Sequence, residues 1–199
     1  MSKTFLGAVE NRRSHYALSE EIPVSNEQIE KIIETAIKHA PSAFNSQSSR
    51  VVLLKGEEHK ELWKIVMDVL REIVPAENFN ATEAKINSFA AAYGSILYFE
   101  DQDTVKSLQE NFPTYAQHFP LWSEHHAGIL QYIIWTALED ASLGANLQHY
   151  NPLIDGKVKE KWRLPHSWKL IAQMPFGGIS AELDQKEYLP LEQRLRIFG

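Results

Sequence analysis

The 199-residue chain contains no cysteine. This excludes disulfide bonds, thiolate metal ligands and cysteine nucleophiles together. The chain also lacks an apolar run near the roughly 20 residues that a membrane-spanning helix requires. Its longest apolar stretch, Ala127 to Leu138, is interrupted by Gln131 and Thr136, and Met1 to Asn11 carry no stretch of signal-peptide length. We therefore expect a soluble, cytoplasmic protein.

Positive charge is also scarce. The net charge is -6, and no basic cluster is longer than the pair Arg12-Arg13. This composition argues against nucleic acid as a partner and against binding to an anionic membrane surface. Dinucleotide-binding G-x-G-x-x-G, Walker A and G-x-S-x-G motifs are all absent from the sequence. With no internal repeat and no Pro/Gly-rich linker, residues 1–199 are expected to form a single domain.

Hydrophobic periodicity predicts helices that alternate with short apolar strands. The predicted helices cover residues 3–11, Leu62–Ile73 and Glu124–Leu143. A further helix is predicted to start at Ser25, which forms a capping box with Gln28. The predicted strands are Arg50–Lys55, Ser95–Phe99, Lys169–Met174 and Leu195–Phe198. This order favours an α+β sandwich with a small central sheet. Glu124–Leu143 is apolar around nearly its whole circumference, which indicates burial in the core or against a second chain.

Arg12-Arg13-Ser14-His15-Tyr16 is the first of three polar clusters. Two guanidinium groups and a hydroxyl in succession suit a phosphate monoester, because arginine offers forked, charge-assisted hydrogen bonds to anionic oxygens. The alternative is a solvated basic helix end, which the helix dipole would also favour.

The second cluster runs from Pro41 to Arg50, and the third from Leu143 to Pro152. Small residues in the second would allow close backbone approach, while Asn45 and Gln47 could pair with the edge of a planar ligand. An ordinary polar loop remains possible there. The third follows the long predicted helix and could equally be a plain connection between helices.

Four neighbouring side chains raise the alternative of a metal site: His118, Glu124, His125 and His126. Adjacent histidines point about 100° apart on a helix, and neither H-x-x-x-H nor H-E-x-x-H spacing occurs. We therefore predict no metal ion and interpret these histidines as surface or helix-start residues.

Taken together, the three clusters resemble the nitroreductase family of dimeric FMN enzymes. Arg12-Arg13-Ser14 matches the family's early Arg-x-Ser segment, and Pro41–Gln47 matches its Pro-Ser-x-x-Asn-x-Gln loop. The resemblance covers essentially the whole chain. Within the family, the chain resembles the fatty-acid-repression-mutant-like branch. That branch carries Arg-Arg-Ser-x-Tyr early in the chain and Pro-Phe-Gly-Gly late, as found here at residues 12–16 and at Pro175–Gly178. The fold implied is a three-layer sandwich whose small mixed sheet is flanked by helices.

The resemblance also implies the roles of individual residues. The phosphate and ribityl chain of FMN would be bound by Arg12 and Ser14, with Arg13 close by and a C-terminal arginine, Arg196 or Arg194, closing on the phosphate. Asn45 and Gln47 would lie near the flavin. The remaining cofactor contacts would come from Tyr16, from Pro41, Ser42, Ala43 and Phe44 of the second subunit, and from the backbone around Leu147, Gln148 and His149, where an amide could donate to flavin N5.

Three positions depart from the family pattern. Tyr16 stands where many members have a basic side chain, Ser48-Ser49 replaces a frequent Pro-Trp, and the basic C-terminal segment is short. These departures concern the phosphate ligands and the substrate pocket more than the flavin itself.

The activity implied is a ping-pong transfer of hydride from NAD(P)H through FMN to a nitroaromatic or quinone-type acceptor. The flavin carries the electrons, so no catalytic side chain is predicted. Five aromatic residues could shape the pocket for a small aromatic acceptor, although core or interface packing would also explain them: Tyr16, Phe44, Tyr115, Phe119 and Trp122. The rival interpretations are a flavin-binding regulator or flavin store without turnover, and a non-flavin hydrolase or metal protein.

Overall fold

The computed structural model describes residues 4–199. Its helices are α1 (Phe5–Asn11), α2 (Asn26–His39), α3 (Gly56–Ile73), α4 (Phe79–Ala90), α5 (Gln102–Asn111), α6 (Phe119–Asp140) and α7 (Asp155–Lys161). Its strands are β1 (Leu18–Ser19), β2 (Ser49–Lys55), β3 (Gly94–Asp101), β4 (Gly144–Ala145) and β5 (Trp168–Ile179). Within the described range, no helix combines the length and apolarity needed to cross a bilayer.

The central sheet has the order β1-β5-β3-β2, and β4 also pairs with β5. Its strand pairs are antiparallel. One isolated parallel bridge, between Ser14 and Ala145, makes the sheet mixed. The glycines of the Pro175–Gly178 motif allow β1 to approach, since a Cβ on Gly177 or Gly178 would collide with backbone carbonyl oxygens of the β1 segment.

Helices cover both faces of this sheet and form three layers. In β3, Ile96 and Tyr98 face a core shared with α2 and α6, whereas Leu97 and Phe99 face a core shared with α3, α4 and α7. This division follows from the two-residue period of a strand, which sends successive side chains to opposite faces. The α+β sandwich predicted from the sequence is confirmed.

Most predicted elements are present with shifted ends. The capping box before α2 forms as predicted, with Ser25 Oγ accepting from the Gln28 amide and Gln28 Oε1 accepting from the Ser25 amide. Helix α6 begins at Phe119 instead of Glu124, because Pro120 occupies its first turn, where a missing amide hydrogen is tolerated. The strand predicted at Leu195–Phe198 is wrong: the segment is irregular, and Ile197 and Phe198 are 84% and 91% exposed.

Candidate functional site

The first and third polar clusters meet at the edge of β5. Residues 144 and 145 pair with Gly177 and Phe176 of β5, which places the third cluster directly on the sheet. Ser14 then bridges to Ala145, and the His15 amide donates to the Ala145 carbonyl at 3.0 Å. Two segments more than a hundred residues apart in the chain thus form one surface.

Buried amide side chains hold these two clusters together. Asn146 Nδ2 donates to the His15 carbonyl at 2.7 Å, and Gln148 Nε2 donates to Asn146 Oδ1 at 2.7 Å. Gln173 of β5 accepts from the Tyr150 amide at 2.7 Å and is 0% exposed. The sequence interpretation did not single out Gln173, although a glutamine among the apolar residues of a buried strand is itself a signal of such a network.

The backbone of the third cluster corrects one detail of the sequence prediction. The Gln148 amide donates to the Gln173 carbonyl at 2.7 Å, so it is not available to flavin N5. The neighbouring amides of Leu147 and His149 form no hydrogen bond to the described residues. Only these two amides of the predicted three could therefore serve a ligand.

Arg13 and His15 line an open cavity of about 680 Å³, and Arg12 lies next to them in the chain. The Arg12 guanidinium lies 4.5 Å from the centre of the Trp135 ring, while Arg13 Nη2 donates to the Asp184 carbonyl at 3.1 Å. Arg12 Nε and His15 Nδ1 are buried without a hydrogen-bond partner among the described residues. Buried polar atoms normally have partners, so a bound polar ligand could satisfy these two.

Charges of both signs line this cavity, with Arg13 on one side and Glu139 and Glu182 on the other. Burial lowers the pKa of His15, and the charges of Arg13 and Arg12 lower it further, while Glu139 raises it. His15 is consequently biased towards its neutral form, and Arg13 supplies the positive charge of the lining. Its guanidinium group could donate to an anionic group such as a phosphate.

The Pro41–Gln47 loop has an unusual backbone. Helix α2 ends before Pro41, and a single 3-10 turn follows at Ala43–Asn45. Phe44, Asn45 and Gln47 have φ angles of 57°, 52° and 49°, which lie in the left-handed region that bulky residues rarely adopt. Such strain in a loop points to a function.

Phe44 belongs to an aromatic cluster at the start of α6. Its ring lies 6.4 Å from that of Trp122 with the planes 18° apart, and 5.4 Å from Phe119 in an edge-on arrangement. Phe119 is also edge-on to Trp122, at 5.3 Å. An open cavity of about 450 Å³ borders Phe44, Trp122 and His126. Phe119 is buried, as core packing would require, while half-exposed Phe44 presents its ring to the cavity.

The loop lies far from the first cluster within one protomer. At the loop, His126 Nδ1 donates to the Pro41 carbonyl at 2.8 Å. At the first cluster, Glu139 of α6 borders the same cavity as Arg13 and His15. His126 and Glu139 are separated by about 20 Å along α6. One chain therefore brings the first and third clusters together but not the second.

Three further predicted contacts are not assembled in the protomer. Tyr16 is exposed, with its ring 6.4 Å from Phe89 on the α3–α4 side of the sheet. Arg196 donates to the carbonyl of Glu192 in its own turn, and Arg194 ends that turn. Among the described residues, neither arginine forms a hydrogen bond with Ser14.

The side chains considered for a metal site have other partners. Glu124 forms an ion pair with Lys169 at 2.7 Å, and the His118 ring stacks on Trp122 at 5.4 Å. Throughout residues 4–199, no group of three or more histidine, aspartate or glutamate side chains is arranged to hold a metal ion.

Comparison with known proteins identifies the family and the fold. A model of the nitroreductase family matches residues 9–178. The nitroreductase FRM2 of Saccharomyces cerevisiae is 34% identical over 187 residues, which cover 93% of each chain.

Solved structures are similar over the same length. Nitroreductase CinD of Lactococcus lactis, in complexes with chloramphenicol and with 4-nitrophenol, is 44% identical with a TM-score of 0.89, over 98% of this chain and 100% of that one. A Desulfovibrio desulfuricans protein in complex with FMN has a TM-score of 0.69 over 98% of this chain and 96% of its own. At 21% identity, that likeness concerns the fold alone.

Proposed function

Because the chain belongs to the nitroreductase family, and is on that ground an oxidoreductase, we propose that it is a homodimeric, FMN-dependent enzyme that takes hydride from NAD(P)H and reduces nitroaromatic or quinone-type acceptors in a ping-pong reaction. The observation that carries this proposal is the surface formed by the first and third clusters at the edge of β5. The two buried, unpartnered nitrogen atoms of Arg12 and His15 lie beside it.

These residues fit the phosphate end of FMN. Arg12 and Arg13 would bind the phosphate oxygens, because guanidinium groups donate two hydrogen bonds to such a group in one plane. Ser14, whose backbone is fixed by its bridge to Ala145, would orient the ribityl chain. The free amides of Leu147 and His149 would face the flavin ring.

The second half of the site would come from a second copy of the chain. The Pro41–Gln47 loop is about 20 Å along α6 from the phosphate site, so its predicted contacts with the flavin require the loop of the partner subunit. Apolar side chains are also exposed where a partner would cover them: Leu121, Ile129 and Tyr132 on α6, Phe5 and Leu6 on α1, and Ile197 and Phe198 in the C-terminal tail. A patch of this kind on a monomer marks an association surface.

The aromatic cluster would receive the acceptor. Phe44 and Trp122 present nearly parallel rings, against which a flat, electron-poor ring can stack. Phe44 and Trp122 carry no charge, so the cavity between them favours neutral aromatic rings over anionic ones. Exclusion of water by these rings would protect the transferred hydride from side reactions.

The chemistry itself belongs to the cofactor. When bound, FMN accepts a hydride and passes it on, and the protein supplies binding, orientation and electrostatics. Arg12, Arg13 and Ser14 hold the anionic end, while the loop and the aromatic rings define the open face.

The test is a flavin titration of the purified protein followed by turnover measurements. We expect FMN to bind stoichiometrically and NAD(P)H oxidation to depend on an added nitroaromatic or quinone. A preparation that binds no FMN would overturn the proposal. A flavin-loaded protein that oxidises no NAD(P)H with any acceptor would favour a regulator or a flavin store instead.

A further inference from the structure

Glu100 is a fully buried carboxylate near the end of β3. Two serine hydroxyls occupy its oxygens: Ser48 Oγ donates to Oε2 at 2.5 Å, and Ser49 Oγ donates to Oε1. The Ser48 carbonyl also accepts from the Asp101 amide at 3.0 Å. These contacts fix the chain directly after the Pro41–Gln47 loop.

The other end of the loop is fixed by His126 of α6. Its Nδ1 lies 2.8 Å from the Pro41 carbonyl oxygen, and because a carbonyl only accepts, Nδ1 carries the hydrogen. His126 is itself buried. Two buried titratable residues, on different elements, therefore hold the two ends of one exposed loop.

The conformation between these ends needs such support. Three of its residues, Phe44, Asn45 and Gln47, adopt the left-handed region without being glycine. The loop's own hydrogen bonds span at most five residues. The amides of Asn45 and Ser46 donate to the carbonyls of Ser42 and Ala43 at 3.0 and 3.1 Å, the Gln47 amide donates to Ser42 Oγ at 3.0 Å, and Gln47 Nε2 donates to the Asn45 carbonyl at 3.5 Å. Arg50 Nη1 donates to the Gln47 carbonyl at 2.6 Å. Strained backbone of this kind persists only when its surroundings determine it.

Glu100 does not stabilise the folded protein at neutral pH. Burial raises its pKa, although the hydroxyls of Ser48 and Ser49 and the charge of His126 lower it, and Glu124 adds to the rise. The other charged pair nearby is Arg50 with Asp101, at 2.8 Å. A carboxyl group whose pKa is raised in the folded protein favours folding at pH values below its ordinary pKa. This contribution to stability is lost as the pH rises through the raised pKa. A buried carboxylate retained at such a cost is typical of a functional position.

We propose that Glu100 is a positioning residue which, through Ser48 and Ser49 and together with His126 at Pro41, holds the Pro41–Gln47 loop in the conformation that presents Phe44 to the acceptor and Asn45 and Gln47 to the flavin. The inference rests on the proposed function for the identity of the ligands. The holding of the loop rests on the hydrogen bonds alone.

The test compares Glu100→Gln with Glu83→Gln. Glutamine has the shape of glutamate but no charge and only one acceptor oxygen, so one serine hydroxyl can no longer donate to residue 100 and must accept from Nε2 instead. Glu83 is a matched control, because it pairs with Arg71 at 2.6 Å on the exposed surface of α4. We expect Glu100→Gln to weaken FMN binding roughly tenfold, the equivalent of one lost hydrogen bond to a charged group. Its melting temperature at pH 8 should equal or exceed that of the wild type.

A second readout needs neither flavin nor turnover. Chymotrypsin should cut after the exposed Phe44 faster in Glu100→Gln than in wild type or Glu83→Gln, as the masses of fragments 1–44 and 45–199 would show. If Glu100→Gln does not fold, the single variant Ser49→Ala, which removes one donor and leaves Ser48 on the carboxylate, should give the same two changes.

The outcomes separate this inference from the proposed function. Unchanged FMN affinity and unchanged cleavage in Glu100→Gln would overturn the inference while leaving the proposed function intact. A large fall in melting temperature that accompanies the loss of FMN would also overturn it, since Glu100 would then be structural only. A wild-type protein that binds no FMN overturns the proposed function, whereas the cleavage comparison still supports or overturns the holding of the loop.

Discussion

Phe44 offers a way to measure the strain in the loop separately from the function of its ring. Phe44→Ala and Phe44→Gly both remove the ring, but only glycine accommodates a φ of 57° without penalty. An L-residue in the left-handed region costs roughly 1–2 kcal/mol. The greater freedom of glycine in the unfolded chain offsets roughly 0.4–1 kcal/mol of that gain.

Phe44→Gly should therefore be more stable than Phe44→Ala by about 0.5–1 kcal/mol. For a chain of this size, each kcal/mol shifts the melting temperature by about 2–4 °C. Urea unfolding and thermal melts would both resolve the difference. The two variants should share the same rise in acceptor KM, because both lack the ring.

Lys64 provides the matched comparison, since it is exposed within the regular helix α3. There the order should reverse, with Lys64→Gly less stable than Lys64→Ala by about 1 kcal/mol. If Phe44→Ala proves as stable as Phe44→Gly, the backbone at residue 44 is not left-handed in solution, and the reasoning about loop strain fails.

Three other perturbations test separate parts of the molecule. Arg12→Gln should weaken FMN binding roughly 10- to 100-fold in a fluorescence titration, as expected for a lost charge-assisted hydrogen bond of about 1.5–3 kcal/mol. The control variant Arg163→Gln should bind FMN like the wild type. Burial lowers the pKa of His59 to about 4, so the neutral histidine favours folding above pH 6.5, and this contribution of about 3 kcal/mol is lost as the pH falls towards 4. His59→Gln should therefore flatten the decline of the melting temperature at acid pH. An unchanged decline would contradict the lowered pKa of His59. If the proposed dimer forms through the exposed C-terminal tail, deletion of residues 184–199 should give a monomer in sedimentation velocity, whereas a truncated dimer would place the interface elsewhere.

Local patterns predicted most of the fold. Val51–Leu54 was sufficient to predict β2, because an apolar run of that length bounded by polar residues suits a buried strand. Helix α6 starts five residues before the predicted Glu124, and Pro120 lies in its first turn, where a proline is tolerated. The alternation at Leu195–Phe198 suggested a strand, but a strand needs a neighbour, and the chain offers none there.

The candidate site was predictable as segments but not as an assembly. Each cluster is recognisable from its residue types, whereas the pairing of Ser14 with Ala145 and of Gln148 with Gln173 depends on the tertiary fold. Glu100 was overlooked because a single glutamate at the end of a strand looks like a solvated residue. Its burial becomes evident only once Ser48 and Ser49 are seen to lie against it.

The distance along α6 between the first cluster and the Pro41–Gln47 loop has a consequence for mixed dimers. If each flavin takes its phosphate contacts from one subunit and its loop from the other, lesions in Arg12 and in Phe44 belong to complementary halves. In a mixed dimer of the two variants, one site would carry both lesions and the other would carry neither. Two inactive proteins, unfolded and refolded together, would regain activity, with at most one restored site in each hybrid molecule.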